Sequence, residues 1–326
     1  MKKFLTAIVL LAILSSAALG FWAYQPITGR TEAPIGFAVE SGSSVRSTVQ
    51  QVARAGVPVN PDLLGLLVRL SGKSAKLKAG HYELKPGTTP LALIDQLVRG
   101  EFAQESLAVI EGWTFKQMRQ AIATHPALKH DSVALSDKEL MARVAPGYAM
   151  PEGLFFPDTY LFAKGASDLQ VYRQAHALLL KRLNEAWAKR DQSLPYKSPY
   201  EGLTMASIIE KETGDKSERK LVAAVFVNRL KQGMLLQTDP TVIYGMGERF
   251  QGNIRKRDLT TDTPYNTYTR AGLPPTPIAL PGAESLEAAM NPAKSNVLYF
   301  VSKGNGRSHF STNLVDHNHA VNKYQR

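Results

Sequence analysis

The first 24 residues restrict what this chain can be more than any other stretch. Two lysines precede an uncharged segment from Phe4 to Tyr24, which as a helix would span about 31 Å, close to the thickness of a bilayer core. Positive charge before the segment favours a cytoplasmic N-terminus with the remaining chain exported. Small residues between Ser15 and Gly20 leave a cleaved signal peptide as the alternative. Because the apolar run continues through Trp22, we expect residues 1–24 to form a retained single-pass anchor.

The remaining chain has the composition of a folded protein. Of the 326 residues, 44% are hydrophobic and 21% are charged, which excludes an intrinsically disordered protein and a polytopic transporter. The sequence contains no cysteine, so disulfide frameworks, thiol nucleophiles and cysteine-ligated metals are excluded. A net charge of +11 suits a polyanionic partner. The basic residues are scattered and fit no nucleic-acid-binding motif, so we expect no nucleic-acid partner.

Residues 25–36 predict a linker, and residues 37–104 predict a small α+β unit. The pattern in this unit is strand, helix, helix, strand and helix, with Ser44 and Asn60 as N-caps of the first two helices. Its β-α-α-β order resembles a LysM-like module, a fold associated with recognition of N-acetylglucosamine polymers. No sugar-reading motif is evident there, so a structural role stays open.

Residues 105–326 predict a larger, mixed α+β domain. Thr114 and Gln117 form a capping-box pair at the start of one helix. A long amphipathic helix is predicted from about Leu169 to Lys189, and Ser217 is predicted to cap a later helix. The whole chain is therefore expected to be an α+β protein with an N-terminal transmembrane helix and two folded regions.

The segment from Leu203 to Thr213 is the densest candidate for chemistry. It predicts a helix that ends near Gly214 and carries Glu210 close to its end. A carboxyl group set among apolar side chains is desolvated, which favours the protonated form that a general acid needs. The alternative is a helix-end carboxylate paired with Lys211 or Arg219.

Two polar segments have side chains suited to binding sugar hydroxyls and acetamido groups. Residues 236–245 are predicted to form a loop, and residues 265–268 form a second polar turn, followed by rigid turns at 272–282. Hydrogen bonding that only stabilises the loops is the alternative for each residue. The candidates in these segments are Gln237, Thr238, Asp239, Tyr244, Asn266 and Tyr268.

Two sequence patterns that could suggest a metal or a nucleotide site lack the spacing that such sites require. His317 and His319 are two residues apart, so on a helix they would point apart, and no third ligand is evident. The glycines at 245, 247 and 252 are not followed by the Lys-Ser or Lys-Thr pair of a phosphate loop. We therefore expect neither a metal nor a nucleotide cofactor.

Five stretches of the sequence together carry a family resemblance. They are MASIIEKET at 205–213, LQTDPTVIYGMGERF at 236–250, YNTY at 265–268, GLPPTPIALPG at 272–282 and STNLVDHN at 311–318. In these stretches the chain resembles the MltG, or YceG-like, family of membrane-anchored endolytic murein transglycosylases, and the similarity runs from the anchor to the C-terminus. The resemblance implies a YceG-like catalytic domain at 105–326.

The resemblance also implies a reaction and residue roles. Glu210 would be the catalytic acid/base and Glu212 a supporting residue, while the six polar candidates above would bind the glycan. Glu210 would protonate the oxygen of the β-1,4 bond between N-acetylmuramic acid and N-acetylglucosamine inside a strand. It would then take the proton of the muramoyl C6 hydroxyl, which closes a 1,6-anhydro ring, so one carboxylate suffices.

The same resemblance implies a bacterial inner-membrane protein with a periplasmic catalytic domain. Its partners would be peptidoglycan glycan strands and peptidoglycan synthases, and its cleavage would limit strand elongation. Two alternatives stay open from sequence. One is a non-catalytic peptidoglycan-binding scaffold in which Glu210 is structural, and the other is a hydrolysing muramidase with the same groove.

Overall fold

A computed structural model describes residues 2–27 and 33–325 of the chain. The chain divides into two compact units, Met1–Ser106 with Leu161–Ala166 and Leu107–Tyr160 with Ser167–Arg326. Helices and three two-stranded sheets make up the described part of the chain, which confirms the predicted α+β class. Residues 28–32 of the predicted linker lie outside the described residues.

The first unit begins with α1 (Lys2–Ala23), a helix long and apolar enough to cross a membrane, although a signal sequence would meet the same criterion. The elements that follow have the predicted order of strand, two helices, strand and helix. Ile35 and Gly36, predicted to lie in the linker, instead belong to the first of these strands. The elements are β1 (Ile35–Val39), α2 (Val45–Arg54), α3 (Pro61–Leu70), a 3₁₀ turn (Ser74–Lys76), β2 (Gly80–Leu84) and α4 (Pro90–Arg99).

The caps of the first unit are those predicted from the sequence. The Ser44 hydroxyl accepts a hydrogen bond from the backbone N–H of Ser47 at 3.2 Å, and the Asn60 side chain accepts two from the first turn of α3. Strands β1 and β2 are antiparallel, with Phe37 opposite Tyr82. These two rings stack in a core that both strands share with α2, α3 and α4.

The second unit contains most of the helices. Strands β3 and β4 pair with each other, and β5 and β6 form an antiparallel hairpin. The boundary between the two units falls within β3 and within β4. The elements are β3 (Gln104–Ala108), α5 (Phe115–Ala123), α6 (Asp137–Val144), β4 (Thr159–Ala163), α7 (Asp168–Ala188), α8 (Pro199–Glu212), α9 (Arg219–Lys231), α10 (Asp239–Met246), a 3₁₀ turn (Gly247–Arg249), α11 (Lys256–Thr260), α12 (Ala283–Met290), β5 (Tyr299–Ser302), β6 (Ser308–Ser311) and α13 (Leu314–Tyr324).

Helix α8 is the central helix of this unit, because every residue from 202 to 209 is buried. It packs against α7, α9, α10 and α12. At Gly202 a Cβ atom would lie 2.3 Å from the Met290 Cε atom, so a larger residue there would require the Met290 side chain to move. The buried helix brings Glu210 and Glu212 to its C-terminal end.

Two local predictions for this unit are wrong. Ser217 does not cap a helix: α9 has Glu218 at its N-cap, and the Ser217 hydroxyl donates to the Asp215 carboxylate at 2.7 Å. Residues 236–245 are not all loop, because α10 begins at Asp239. An acidic residue followed by proline fits the first turn of a helix. The acid lies at the positive end of the helix dipole, and proline can stand there because the N–H group that it lacks would have no partner within the helix.

Candidate active site

An open groove with a volume of about 770 Å³ lies in the second unit. The end of α8, the segment before α10, the β5–β6 hairpin and α13 form its walls. Aromatic rings, amides and carboxylates share its surface, a combination found in sugar-binding sites. Its lining includes Glu212, Phe226, Arg229, Gln237, Asp239, Tyr268, Tyr299, Phe300, Arg307, His317 and Asn318.

Glu212 is the carboxyl group of α8 that faces this groove. Its pKa is raised to about 7, mainly by burial and also by the neighbouring charge of Asp239, against the lowering effects of Thr238 and Arg229. The Thr238 hydroxyl donates a hydrogen bond to Oε1 of Glu212. Its other oxygen, Oε2, has no hydrogen-bond partner among the described residues. Glu212 can therefore hold a proton near neutral pH and present it to the groove.

Thr238 is held in place by a second loop. Its backbone N–H donates to the Thr267 hydroxyl at 3.1 Å, and the N–H of Gln237 donates to the Thr267 carbonyl at 3.1 Å. Among residues 2–27 and 33–325, Gln237 is the single non-glycine residue with a positive φ, at 50°. Such strained backbone persists only where its surroundings fix it, and it recurs at binding sites. The strain places an exposed amide side chain in the groove.

Asp239 and Tyr268 form a polar pair on the groove wall. The Tyr268 hydroxyl donates to Oδ1 of Asp239 at 2.5 Å. Burial raises the pKa of Tyr268 well above its ordinary value, and the Asp239 carboxylate raises it further. The phenol therefore stays protonated and keeps its ring in place beside Glu212.

Arg229 is a groove residue that the sequence analysis did not single out. Its side chain donates to the carbonyls of Leu298 at 2.7 Å and Leu236 at 2.9 Å, and its guanidinium lies 5.0 Å from the centre of the Tyr299 ring. Arg229 is 8% exposed, and burial lowers its pKa. It ties the segment before α10 to β5. The sequence feature that could have identified Arg229 is an arginine within the apolar run of α9.

Glu210 lies in a different environment, although only two residues separate it from Glu212. Its Oε1 atom is 3.1 Å from the Arg219 guanidinium, and each of the two side chains is 6% exposed. Its Oε2 atom accepts the backbone N–H of Gly282 at 2.9 Å. Glu210 is not among the residues that line the groove. This ion pair with Arg219 corresponds to the structural role that the sequence analysis gave as the alternative to a general acid at Glu210.

Tyr244 and Asn266 also lie away from the groove lining. The Tyr244 hydroxyl donates to Oε2 of Glu152 at 3.2 Å. Asn266 is fully buried, and its amide nitrogen donates to three backbone carbonyls between 258 and 261. Its oxygen accepts the N–H of Tyr268 at 2.9 Å, which positions a groove residue indirectly.

Glu152 is a second buried acid that the sequence analysis missed. Its Oε1 atom accepts the backbone N–H of Phe115 at 2.9 Å, and burial raises its pKa to about 7. It joins the start of α5 to Tyr244 on α10. The signal in the sequence was an acid at the start of a largely apolar and aromatic segment, residues 151–162, which has Asp158 as its second acid.

Residues 37–323 of the chain match the sequence pattern of the YceG-like family. The chain belongs to this family. The family resemblance carried by the five motifs is thereby confirmed.

Three similar proteins align with most of the chain. An endolytic murein transglycosylase of Bacillus subtilis is 33% identical over 92% of this chain and 87% of its own length. One of Streptococcus pneumoniae is 26% identical over 96% of this chain and 63% of its own length. A crystal structure of a YceG-like protein from Listeria monocytogenes, 30% identical, superposes with a TM-score of 0.56 over 88% of this chain and 98% of that one.

Proposed function

We propose that this chain is an endolytic murein transglycosylase that cleaves the bond between N-acetylmuramic acid and N-acetylglucosamine and leaves 1,6-anhydro ends. The names of its Bacillus and Streptococcus relatives support the murein transglycosylase activity. The groove supports a polymeric sugar substrate, because it is open and combines aromatic rings with amide and hydroxyl groups.

We further propose Glu212, rather than Glu210, as the acid and base. The observation that carries this choice is the contrast between the two carboxyl groups. Both oxygens of Glu210 are engaged, by Arg219 and by the N–H of Gly282. Glu212 lines the groove, has one unengaged oxygen and has a pKa of about 7. The assignment of Glu210 by family resemblance stays a prediction. A comparison of Glu212→Gln with Glu210→Gln tests both assignments.

The reaction needs one carboxyl group used twice. Glu212 donates its proton to the glycosidic oxygen as the bond to the muramoyl C1 atom breaks, which leaves an oxocarbenium-like centre. The resulting carboxylate takes the proton of the C6 hydroxyl on the same sugar. The C6 oxygen then bonds to C1 and closes the anhydro ring, so no water is consumed and Glu212 is protonated again. Proximity within one ring favours this route.

The neighbouring residues position this carboxyl group and the sugar. Thr238 fixes the rotamer of Glu212 through its hydroxyl. The negative charge of Asp239 favours the protonated acid before the reaction and an oxocarbenium-like centre during it. Gln237 would bind an acetamido group, and the ring of Tyr268 would offer a face on which a pyranose can stack.

The same proposal covers location and partners. Helix α1 supports single-pass anchoring in a bacterial inner membrane, with the N-terminus in the cytoplasm and the catalytic unit in the periplasm. There the enzyme would act on nascent strands, limit their elongation and meet peptidoglycan synthases. The β-α-α-β order of the first unit supports a LysM-like module that binds glycan or spaces the catalytic unit from the membrane.

Mass spectrometry of the products formed in ¹⁸O-labelled water tests the reaction class. Full-length protein is incubated with purified glycan strands, and the new muramoyl ends are analysed. We expect anhydro ends without ¹⁸O. Ends that carry one labelled oxygen would make the protein a hydrolysing muramidase. Intact strands, with the protein folded, would favour the scaffold function. A matched incubation with Glu212→Gln measures the background cleavage.

A further inference from the structure

The C-terminal end of α1 is built into the first folded unit. Ala23 is 3% exposed, and Trp22 and Ile27 pack against the core formed by the strands and helices of that unit. The N–H of Ile27 also donates to the carbonyl of Thr88 at 2.8 Å. Helix α1 contacts both α3 and α4. If α1 spans a membrane, the unit must therefore lie directly at its outer surface.

Helix α3 presents an apolar stripe to the outside of the same unit. Leu63, Leu66 and Leu70 are 39%, 41% and 68% exposed. Their spacing of three and four residues puts them on one side of the helix. Among described residues 33–106, these three leucines are the only exposed large apolar side chains. Burying such a stripe is favourable wherever an apolar phase is within reach.

Basic residues accompany the stripe. From residue 61 to residue 80 the sequence has one acidic side chain, Asp62, against Arg69, Lys73, Lys76 and Lys78. Lys73 pairs with Asp95, whereas Arg69 and Lys76 have no acidic partner among the described residues. Anionic headgroups attract such side chains, which keep their charge in the interface while their stems lie along apolar neighbours.

We infer that α3 docks onto the outer surface of the bilayer, with Leu63, Leu66 and Leu70 in the interfacial region and Arg69 and Lys76 against anionic headgroups. This rests on the proposed anchoring by α1. The membrane is the occupant that fits, because the helix carrying the stripe contacts the anchor and its flanking charge matches that of acidic lipids. The anchor and α3 would together fix the orientation of the first unit relative to the membrane.

Site-specific fluorescence can test this docking, because the chain has no cysteine and a single introduced one is therefore the only thiol that takes the label. An environment-sensitive label is placed on Leu66→Cys or Leu70→Cys in the full chain. Ile13→Cys in α1 reports on the anchor, and Val133→Cys, an exposed apolar position of the second unit, is the matched control. The proteins are reconstituted into phosphatidylethanolamine and phosphatidylglycerol vesicles that contain a lipid with a spin-labelled acyl chain.

We expect blue-shifted emission and quenching by the spin label at positions 66 and 70 as well as at 13, and neither effect at 133. Quenching at 13, with positions 66 and 70 behaving like 133, would overturn the docking and leave the anchoring intact. No quenching at 13 would overturn both. A blue shift at 66 that grows with the protein-to-lipid ratio would assign the stripe to a second copy and overturn the membrane docking. Formation of anhydro ends by the same samples tests the enzyme function separately.

Discussion

Arg219 and Glu210 form an ion pair with an N–O distance of 3.1 Å, and each side chain is only 6% exposed. Removing one partner of such a pair leaves an uncompensated buried charge. We expect Arg219→Met to lower the free energy of unfolding by about 3–5 kcal/mol. The exposed Lys220–Glu287 pair is the control, and Lys220→Met should cost less than about 1 kcal/mol. Urea unfolding compares the two variants, and equal losses would contradict a structural role for the Glu210 pair.

Thr238→Val should change the pH dependence of catalysis. A general acid must be protonated, so kcat/KM of the native protein should fall as pH rises through about 7, the pKa of Glu212. The Thr238 hydroxyl lowers that pKa, so its loss should shift the alkaline limb to higher pH. Thr204→Val, a buried threonine of α8 whose hydroxyl donates instead to the Tyr200 carbonyl at 2.9 Å, is the control. A limb that stays in place would count against Glu212 as the titrating acid.

Glu152→Gln should change how stability depends on pH. Folding raises the pKa of Glu152 from 4.5 to about 7, so the folded state holds a proton that the unfolded state releases between these values. The associated stability is fully present below about pH 4.5 and is lost as pH rises through 7, by up to about 3 kcal/mol. Unfolding at pH 5 and pH 8 should show a smaller difference for Glu152→Gln than for the native protein. An unchanged difference would refute the buried, protonated acid.

Asn266 and Gln237 were both predicted to bind glycan, and their variants should behave differently. Asn266→Ala leaves three backbone carbonyls without their donor and should cost about 1–3 kcal/mol of stability. Gln237→Asn shortens an exposed groove side chain, and Asn tolerates a left-handed backbone. It should raise KM with little change in the unfolding midpoint. The reverse pattern would contradict the roles drawn from the structure.

The sequence is most informative where local chemistry decides the structure. The helices of the first unit are predictable because Ser44 and Asn60 supply caps and glycine or proline follows each helix. Helix α10 is missed because Gln237, Thr238 and Asp239 have the composition of a loop. Its start depends on contacts with Thr267, which is 29 residues away from Thr238.

The choice between Glu210 and Glu212 cannot be made from sequence. Two residues apart on a helix, the carboxyl groups point about 200° away from each other. Either can therefore be the one that faces the substrate. Which does so depends on Arg219 in α9 and on Thr238 before α10, and neither contact follows from periodicity in α8. The motif locates the pair, and only tertiary packing distinguishes its members.

The most direct test of the proposed mechanism compares the rates at which Glu212→Gln and Glu210→Gln release anhydromuramoyl ends from purified glycan strands. Circular dichroism first establishes that both variants are folded. Loss of the proton donor should lower the rate of Glu212→Gln by at least about 100-fold. Glu210→Gln keeps one acceptor oxygen for Arg219 or Gly282 and loses stability, but it lies outside the groove lining, so the folded variant should retain most of its kcat. Near-native release by Glu212→Gln, with release abolished in Glu210→Gln, would contradict the account and return the catalytic role to Glu210.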